Sequence, residues 1–286
     1  MRGRSEIGLP LLFCLTVSLF LQTGCIATTF LPRPQIAAAV AKEAKWQPQD
    51  LDTDSFRLRL YLPQNHLKLR QAVVYIEGDG LAWIDRSNPS SDPTPRDPIA
   101  LRLAVSLNDR ASAYIARPCQ YTLEADSDRC RTEFWTNARY SEPVLTATSQ
   151  AIDHIKELFA ARKLILVGYS GGGTIAALLA ARRDDVSLLV TVAANLDTEF
   201  WTKHHQVSPL VGSLNPANFR DRLKNLPQVH FVGSDDEIVP PSVARSYALK
   251  IEKSLLQSIR YVDDADHTCC WADLWPSMAR SILPQR

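Results

Sequence analysis

A chain of 286 residues with 45% hydrophobic and 22% charged side chains carries enough apolar surface for one large core or two small ones. Lys and Arg total 32 against 31 for Asp and Glu, a net charge of +1 with no basic stripe or acidic tail. That balance excludes a nucleic-acid partner, whose phosphates call for a concentrated cationic face.

The chain opens with Arg2 and Arg4, then runs through the apolar-dominated "LPLLFCLTVSLFLQTGC". About fifteen such positions suffice for a signal-peptide core and fall short of the ~20 that a membrane-spanning helix needs. The run ends in "LQTGC", which resembles the lipobox of bacterial lipoproteins. The resemblance implies that residues 1–24 are removed and that Cys25 carries a lipid, which would hold the protein to a bacterial envelope membrane facing the periplasm. Gln22 departs from the pattern, since an apolar residue is usual there, and ordinary cleavage after Ala27 is the alternative. Either route exports the chain.

Residues 25–50, with prolines at both ends, read as a tether that has room for a short helix over Ala37 to Lys45; a globular domain is expected over 51–286. From there the pattern is regular. "FRLRLYL" (56–62) alternates like a half-buried strand, and "AVVYIEG" (72–78) and "ASAYIA" (111–116) are short apolar runs ending at loops. "KLILVG" (163–168), "SLLVTVAA" (187–194), "QVHFVG" (228–233) and "SIRYV" (258–262) continue the series. Helix-period segments lie between them: "DPIALRLAVSLND", "EPVLTATSQAIDHIKELFAARK", "GGTIAALLAARR" and "PPSVARSYALKIEKS". Continuous apolar strands alternating with helices predict an α/β fold, a mainly parallel sheet covered on both faces. Ligands in such sheets gather at the carboxyl ends of the strands.

Export makes the cysteines readable as disulfide partners. Four remain past Cys25: Cys119, Cys130, Cys269 and Cys270. Cys119 and Cys130 flank the polar "QYTLEADSDR", a loop suited to a staple. Closing about twelve residues is worth roughly 3 kcal/mol on the chain-entropy model. Cys269 and Cys270 are neighbours, which can only bond vicinally or stay reduced if the first two pair. The spacing lacks a CxxC pair, so no metal site is expected, and no cofactor motif stands out.

"LVGYSGGGTIAALL" places Ser170 in a G-x-S-x-G turn between a buried strand and a helix, the arrangement of a nucleophile elbow. A phosphate-binding glycine turn would need a GxGxxG or GKS/GKT pattern, and neither is present. A serine hydroxyl is a poor nucleophile without a base, and the base needs an orienting acid. Past Ser170 stand His204, His205, His230 and His267. His230 falls inside a strand and reads as core, whereas His267 directly follows the last strand, where a base must hang. Asp235 and Asp236 follow "QVHFVG"; Asp197, after the previous strand, is the other position that topology allows for the acid.

The chain from Ser55 onward thus resembles the α/β-hydrolases, on the order nucleophile, acid, base and on the G-x-x-D-x-x-V-P segment ending at Pro240. The resemblance implies a Ser170–Asp236–His267 triad and an oxyanion hole formed by the N–H groups of Gly171 and of Asp79, with Gly80 as the alternative to Asp79. "EGDG" stands where many relatives have HG, so Glu77 replaces the usual histidine. Of the eight glycines beyond residue 25, Gly78, Gly80, Gly168, Gly171, Gly172, Gly173 and Gly233 all fall in these motifs.

"LAWIDRSNPSSDPTPRDP" should wall the site, "FWTKHHQVSPLVGSLNP" is too short for a large cap domain, and "EFWTNARY" offers Trp135 and Arg139. An open, partly aromatic site suits an acyl ester, so the expected activity is carboxylic ester hydrolysis through an acyl-enzyme. A peptidase or thioesterase of the same fold, or an envelope lipoprotein that kept the fold without catalysis, are the alternatives.

Overall fold

The computed structural model describes residues 31–107, 109, 111–121 and 128–283. The signal segment and Cys25 lie outside the described residues. Pro32 opens the compact unit. The elements run α1 (Arg33–Glu43), β1 (Trp46–Asp52), β2 (Arg57–Pro63), β3 (Gln71–Ile76), α2 (Ile99–Ser106), β4 (Ser112–Ile115) and α3 (Glu142–Leu158). Then come β5 (Lys163–Tyr169), α4 (Gly171–Ala180), β6 (Val186–Val192), α5 (Thr198–His205), a single turn α6 (Arg220–Leu223), β7 (Gln228–Gly233), α7 (Pro241–Ile251), β8 (Ile259–Val262) and α8 (Trp271–Arg280).

The eight strands form one sheet in the order β1-β2-β4-β3-β5-β6-β7-β8. β2 runs antiparallel to both its neighbours, and every other pairing is parallel. The central parallel strands β3, β4 and β5 are buried along nearly their whole length because helices cover both faces. On one face the core takes side chains of α3, α4 and α7, among them Ile152, Ile175 and Tyr247; on the other it takes α1, α2 and α8, with Ala37, Leu101, Trp271 and Trp275. All ten residues of α4 are buried, which explains why "GGGTIAALLA" carries no polar stripe.

Two elements differ from the sequence expectation. Residues 32–50 are not a tether: α1 packs into the second core, and β1 pairs residue for residue with β2, from Trp46 opposite Pro63 to Asp52 opposite Arg57. β1 is an edge strand with one solvated side, so it tolerates Pro48 and a largely polar sequence that does not read as a strand. The globular part therefore starts about twenty residues before 51. The second is α8, which buries Trp271, Trp275 and Ala279 along one face, at a helical spacing of four. The β6–β7 connection, residues 193–227, holds α5, a 3-10 turn at Pro216–Asn218, α6 and loops, in keeping with the absence of a large cap. Cys119 and Cys130 are disulfide-bonded with Cα atoms 5.4 Å apart, and Cys269 is bonded to Cys270.

Candidate active site

β5 is buried from Leu164 onward, and the chain leaves it at Ser170 in a turn so tight that Ser170 adopts φ 50° and ψ −123°. Such a conformation is costly for a residue with a side chain and is held only where the surroundings over-determine it. Here the Ser170 N–H donates to the Val192 carbonyl at 2.9 Å, locking the turn to the end of β6. Any Cβ at Gly168 would sit 2.3 Å from the Gly172 carbonyl oxygen, so the strand and helix can meet at that angle only over glycine.

Ser170 Oγ lies 3.0 Å from His267 Nε2, and His267 Nδ1 lies 2.9 Å from Asp236 Oδ2. In the tautomer with the proton on Nδ1, that N–H donates to the carboxylate and Nε2 accepts from the serine hydroxyl. Three loops build this line. Asp236 is buried, and its other oxygen accepts from the Ile238 and Val239 N–H groups at 2.9 and 2.7 Å, which aims Oδ2 at the imidazole. The His267 carbonyl accepts from the Tyr169 hydroxyl at 2.8 Å and from Trp271 Nε1 at 3.1 Å, so the residue before Ser170 and the first residue of α8 both hold the histidine loop.

The other acid position is occupied differently. Asp197 is fully buried at the start of α5, with Lys250 Nζ at 2.8 Å and Ser246 Oγ at 2.6 Å on one oxygen. Asn215 Nδ2 and the Phe200 N–H donate to the other. Burial alone would raise its pKa, but the bonds from Lys250, Ser246 and Asn215 hold the carboxyl below its usual range. It has no oxygen left for a histidine. Asp235 is solvent-exposed. His230 is a buried core residue whose Nδ1 meets the Thr191 hydroxyl at 2.8 Å; burial pushes its pKa down to about 3. His204 is exposed, and His205 lies against the Ile238 carbonyl at 3.0 Å. These two histidines line, with Asp235, Asp236 and Glu237, an open cleft of about 790 Å³ that does not reach Ser170.

On the opposite side of Ser170 stands the loop after β3. Gly171 is the first residue of α4, so its N–H is one of the unpaired donors of a first helical turn. Asp79 lies against it: a Cβ on residue 171 would fall 2.0 Å from Asp79 Oδ1. The Asp79 N–H bonds no described group. Gly80, at φ 65°, passes so close to Pro93 that a Cβ would meet the Pro93 carbonyl oxygen at 2.1 Å. The Asp79 carboxylate itself is clamped by Arg117 Nη1 at 2.8 Å, Arg139 Nη1 at 2.7 Å and the Tyr140 hydroxyl at 3.1 Å. Burial works to raise its pKa, and the two guanidiniums overcome that and hold it below the ordinary value. Trp135, by contrast, is buried, its Nε1 donating to the Ser90 carbonyl, and packs beneath the 81–92 loop.

Glu77, the residue in the usual histidine position, is buried at the end of β3. Its Oε1 accepts from Gly78 N–H at 2.9 Å and from Ala100 N–H at 3.3 Å, while Oε2 makes no well-aligned hydrogen bond, the nearby Tyr114 hydroxyl included. Burial pushes its pKa up to about 7.

No protein-family model and no curated protein matches the chain. Solved structures do. An α/β serine hydrolase homologue from Coxiella burnetii is 14% identical at a TM-score of 0.54, covering 82% of this chain and 97% of its own. An esterase from Pyrococcus furiosus is 12% identical at a TM-score of 0.57, covering 85% and 93%. An α/β serine hydrolase from Xanthomonas campestris, described as having no lid, is 12% identical at 0.50, covering 85% and 97%. The chain has the α/β-hydrolase fold. In α/β-hydrolase terms, Ser170 occupies the elbow after β5, Asp236 the loop after β7 and His267 the loop after β8, the three strand-end positions named from sequence.

Proposed function

We propose that the protein is a serine hydrolase acting on carboxylic esters through an acyl-enzyme. The observation that carries this reading is the unbroken line Asp236–His267–Ser170, two hydrogen bonds of 2.9 and 3.0 Å between groups that burial and backbone bonds hold in place. His267 would take the Ser170 proton as the oxygen attacks the ester carbonyl, and would return it to the departing alkoxide. The negative charge on the carbonyl oxygen would be received by the N–H groups of Gly171 and Asp79, neither of which is consumed by the resting fold. Water, deprotonated by the same histidine, would then release the acid. Exposed apolar side chains at Trp83 and Ile84, on the loop leaving the oxyanion residue, and at Ile238, on the acid's loop, favour an apolar acyl group over a polar one.

The test is labelling of the protein with a fluorophosphonate probe, followed by hydrolysis of p-nitrophenyl esters of increasing acyl length. The wild type should label once, on Ser170, and turn over esters; Ser170→Ala should do neither while keeping its melting temperature. Full ester turnover by Ser170→Ala would end the assignment.

A further inference from the structure

Asp79 presents a contradiction at the site just proposed. A carboxylate sits against the residue after the nucleophile, next to the place where the substrate oxygen must become negative. A like charge ~5 Å from that oxygen, at an effective dielectric of ~20, would slow acyl transfer by roughly two orders of magnitude. The fold nevertheless keeps the carboxylate there and surrounds it with cations. Arg117 and Arg139 each donate to one of its oxygens, at 2.8 and 2.7 Å, and both guanidiniums are nearly inaccessible, with side-chain exposures of 5% and 8%. They bear one positive charge more than the group they hold.

The two arginines are themselves fixed. Arg139 Nε donates to the Thr136 carbonyl at 2.5 Å, and Arg117 Nη2 donates to the Arg139 carbonyl, which ties the second arginine to the first. Arg117 lies over the Tyr140 ring, 5.4 Å from its centroid, while the Tyr140 hydroxyl reaches Asp79. Gln120, one residue beyond Cys119, accepts from the Arg117 N–H and donates to the Gly78 carbonyl at 2.9 Å. Residues 117–120 and 136–140, on either side of the Cys119–Cys130 disulfide, are therefore built around the loop that carries Asp79. Arg117 Nε is buried with no hydrogen-bond partner among the described residues.

We propose that Arg117 and Arg139 are positioning residues of the oxyanion hole: through the Asp79 carboxylate they fix the Asp79 N–H toward the substrate oxygen and turn the local charge from negative to positive. The inference rests on the serine-hydrolase reading. It separates two roles that one salt bridge could play. A fastener stabilises the loop whatever its charge. A charge-reversing clamp makes the carboxylate harmful once an arginine is lost, and harmless again once the carboxylate is neutralised.

The experiment compares wild type, Arg139→Gln, Arg139→Lys, Asp79→Asn and the double variant Asp79→Asn/Arg139→Gln on one neutral p-nitrophenyl ester, with melting curves for each. Arg139→Gln should lose ~30- to 100-fold in kcat with KM within about twofold, as expected for a contact that matters only in the transition state. Its affinity for a boronic acid, which forms an anionic tetrahedral adduct on the serine, should fall in the same proportion. Adding Asp79→Asn to it should restore at least about tenfold of the lost kcat, although one more native side chain is gone. Arg139→Lys, which keeps the charge and loses the planar fork, should fall between the two and carries the test with the double variant should Arg139→Gln not fold. A double variant no faster than Arg139→Gln, a loss expressed in KM alone, or an Arg139→Gln enzyme with full kcat would each overturn the clamp while leaving a labelled, active wild type standing. A wild type inert to probe and ester would instead remove the serine-hydrolase reading, and the clamp with it.

Discussion

The ends of β6 and β7 offer the same raw material and put it to different use. Each strand ends in a loop carrying a buried aspartate, Asp197 after β6 and Asp236 after β7, and neither carboxylate meets solvent. Asp197 faces Lys250 and caps α5 with its other oxygen, so both oxygens are spent on structure. Asp236 spends one oxygen on its own loop and leaves the second for His267. Position at a strand end and burial are thus shared by both residues. What separates them is the partner: a cation that neutralises the carboxylate for good, or an imidazole whose charge comes and goes.

Substituting asparagine at each position should divide the two most sharply. Asp236→Asn keeps the shape but offers the imidazole an amide where it needs a carboxylate, which should cost about 10⁴-fold in kcat/KM with little change in melting temperature. Asp197→Asn should leave kcat within about threefold and instead lower stability by ~1–2 kcal/mol, since it breaks a bond to a half-exposed lysine while three other contacts survive. Ester kinetics beside urea melts read both quantities. If Asp197→Asn were the slow enzyme and Asp236→Asn the active one, the acid would belong to β6.

Which of this the sequence could disclose follows from distance along the chain. The elbow is local: "LILVGYSGG" carries its strand, turn and helix start in one stretch, so Ser170 is legible without a structure. Asp236 and His267 are legible because each directly follows a strand that reads as one. β1 is not, because an edge strand with Pro48 and solvated positions lacks the apolar run that marks the central strands. The face of α8 is written in Trp271, Trp275 and Ala279 at intervals of four, but α8 follows the last strand and links no two strands, so the strand–helix alternation does not mark it. The arginine clamp joins residues 38 and 60 positions from Asp79, from a stretch with no periodicity. Arg139 could be flagged there, but only the fold supplies its partner. Lys250 reaches Asp197 in the same way, from the last turn of α7.

Glu77 sharpens the comparison as a third case, a buried carboxyl with neither cation nor imidazole. The N–H bonds from Gly78 and Ala100 offset its burial only in part, and its pKa rises to about 7 from an ordinary value of 4.5. The folded state then holds this proton over a range where the unfolded chain has released it. Stability from the group is complete below pH ~4.5 and is lost as the pH climbs through ~7. Between pH 5 and 8 the loss amounts to roughly 2–3 kcal/mol. Glu77→Gln cannot ionise, so the stability difference between variant and wild type should swing by that amount toward the variant over the same range. His230, buried with a pKa of about 3, works in the other sense, contributing stability above pH ~6.5 that fades toward acid. It is common to both proteins and drops out of the difference. Urea melts at pH 5 and 8 measure the swing, and parallel profiles would show that Glu77 is ionised in the folded protein.

The smallest effect lies on the loop that carries His267, the partner of Asp236 and not of Asp197. Cys269 and Cys270 are bonded and exposed two and three residues past His267, whereas Cys119 is buried. A mild reductant should therefore reach the 269–270 pair first. The backbone at Cys270 sits at φ 73°, a left-handed conformation that is unfavourable for a residue with a side chain, immediately before α8. Cutting the crosslink lets that residue relax and loosens the tether on His267. The loop keeps its other supports, however: Tyr169 and Trp271 on the His267 carbonyl, and Asp266 accepting from the Thr268 N–H at 2.7 Å. The base should then wander only slightly, for a loss of roughly two- to threefold in kcat at an unchanged melting temperature. The Cys269→Ser/Cys270→Ser variant should match the reduced wild type and ignore reductant. Thiol titration beside ester turnover reads the outcome: two thiols with full activity would free the base from any dependence on the pair. A melting temperature that falls before activity does would place the first reduction at Cys119 and Cys130 instead.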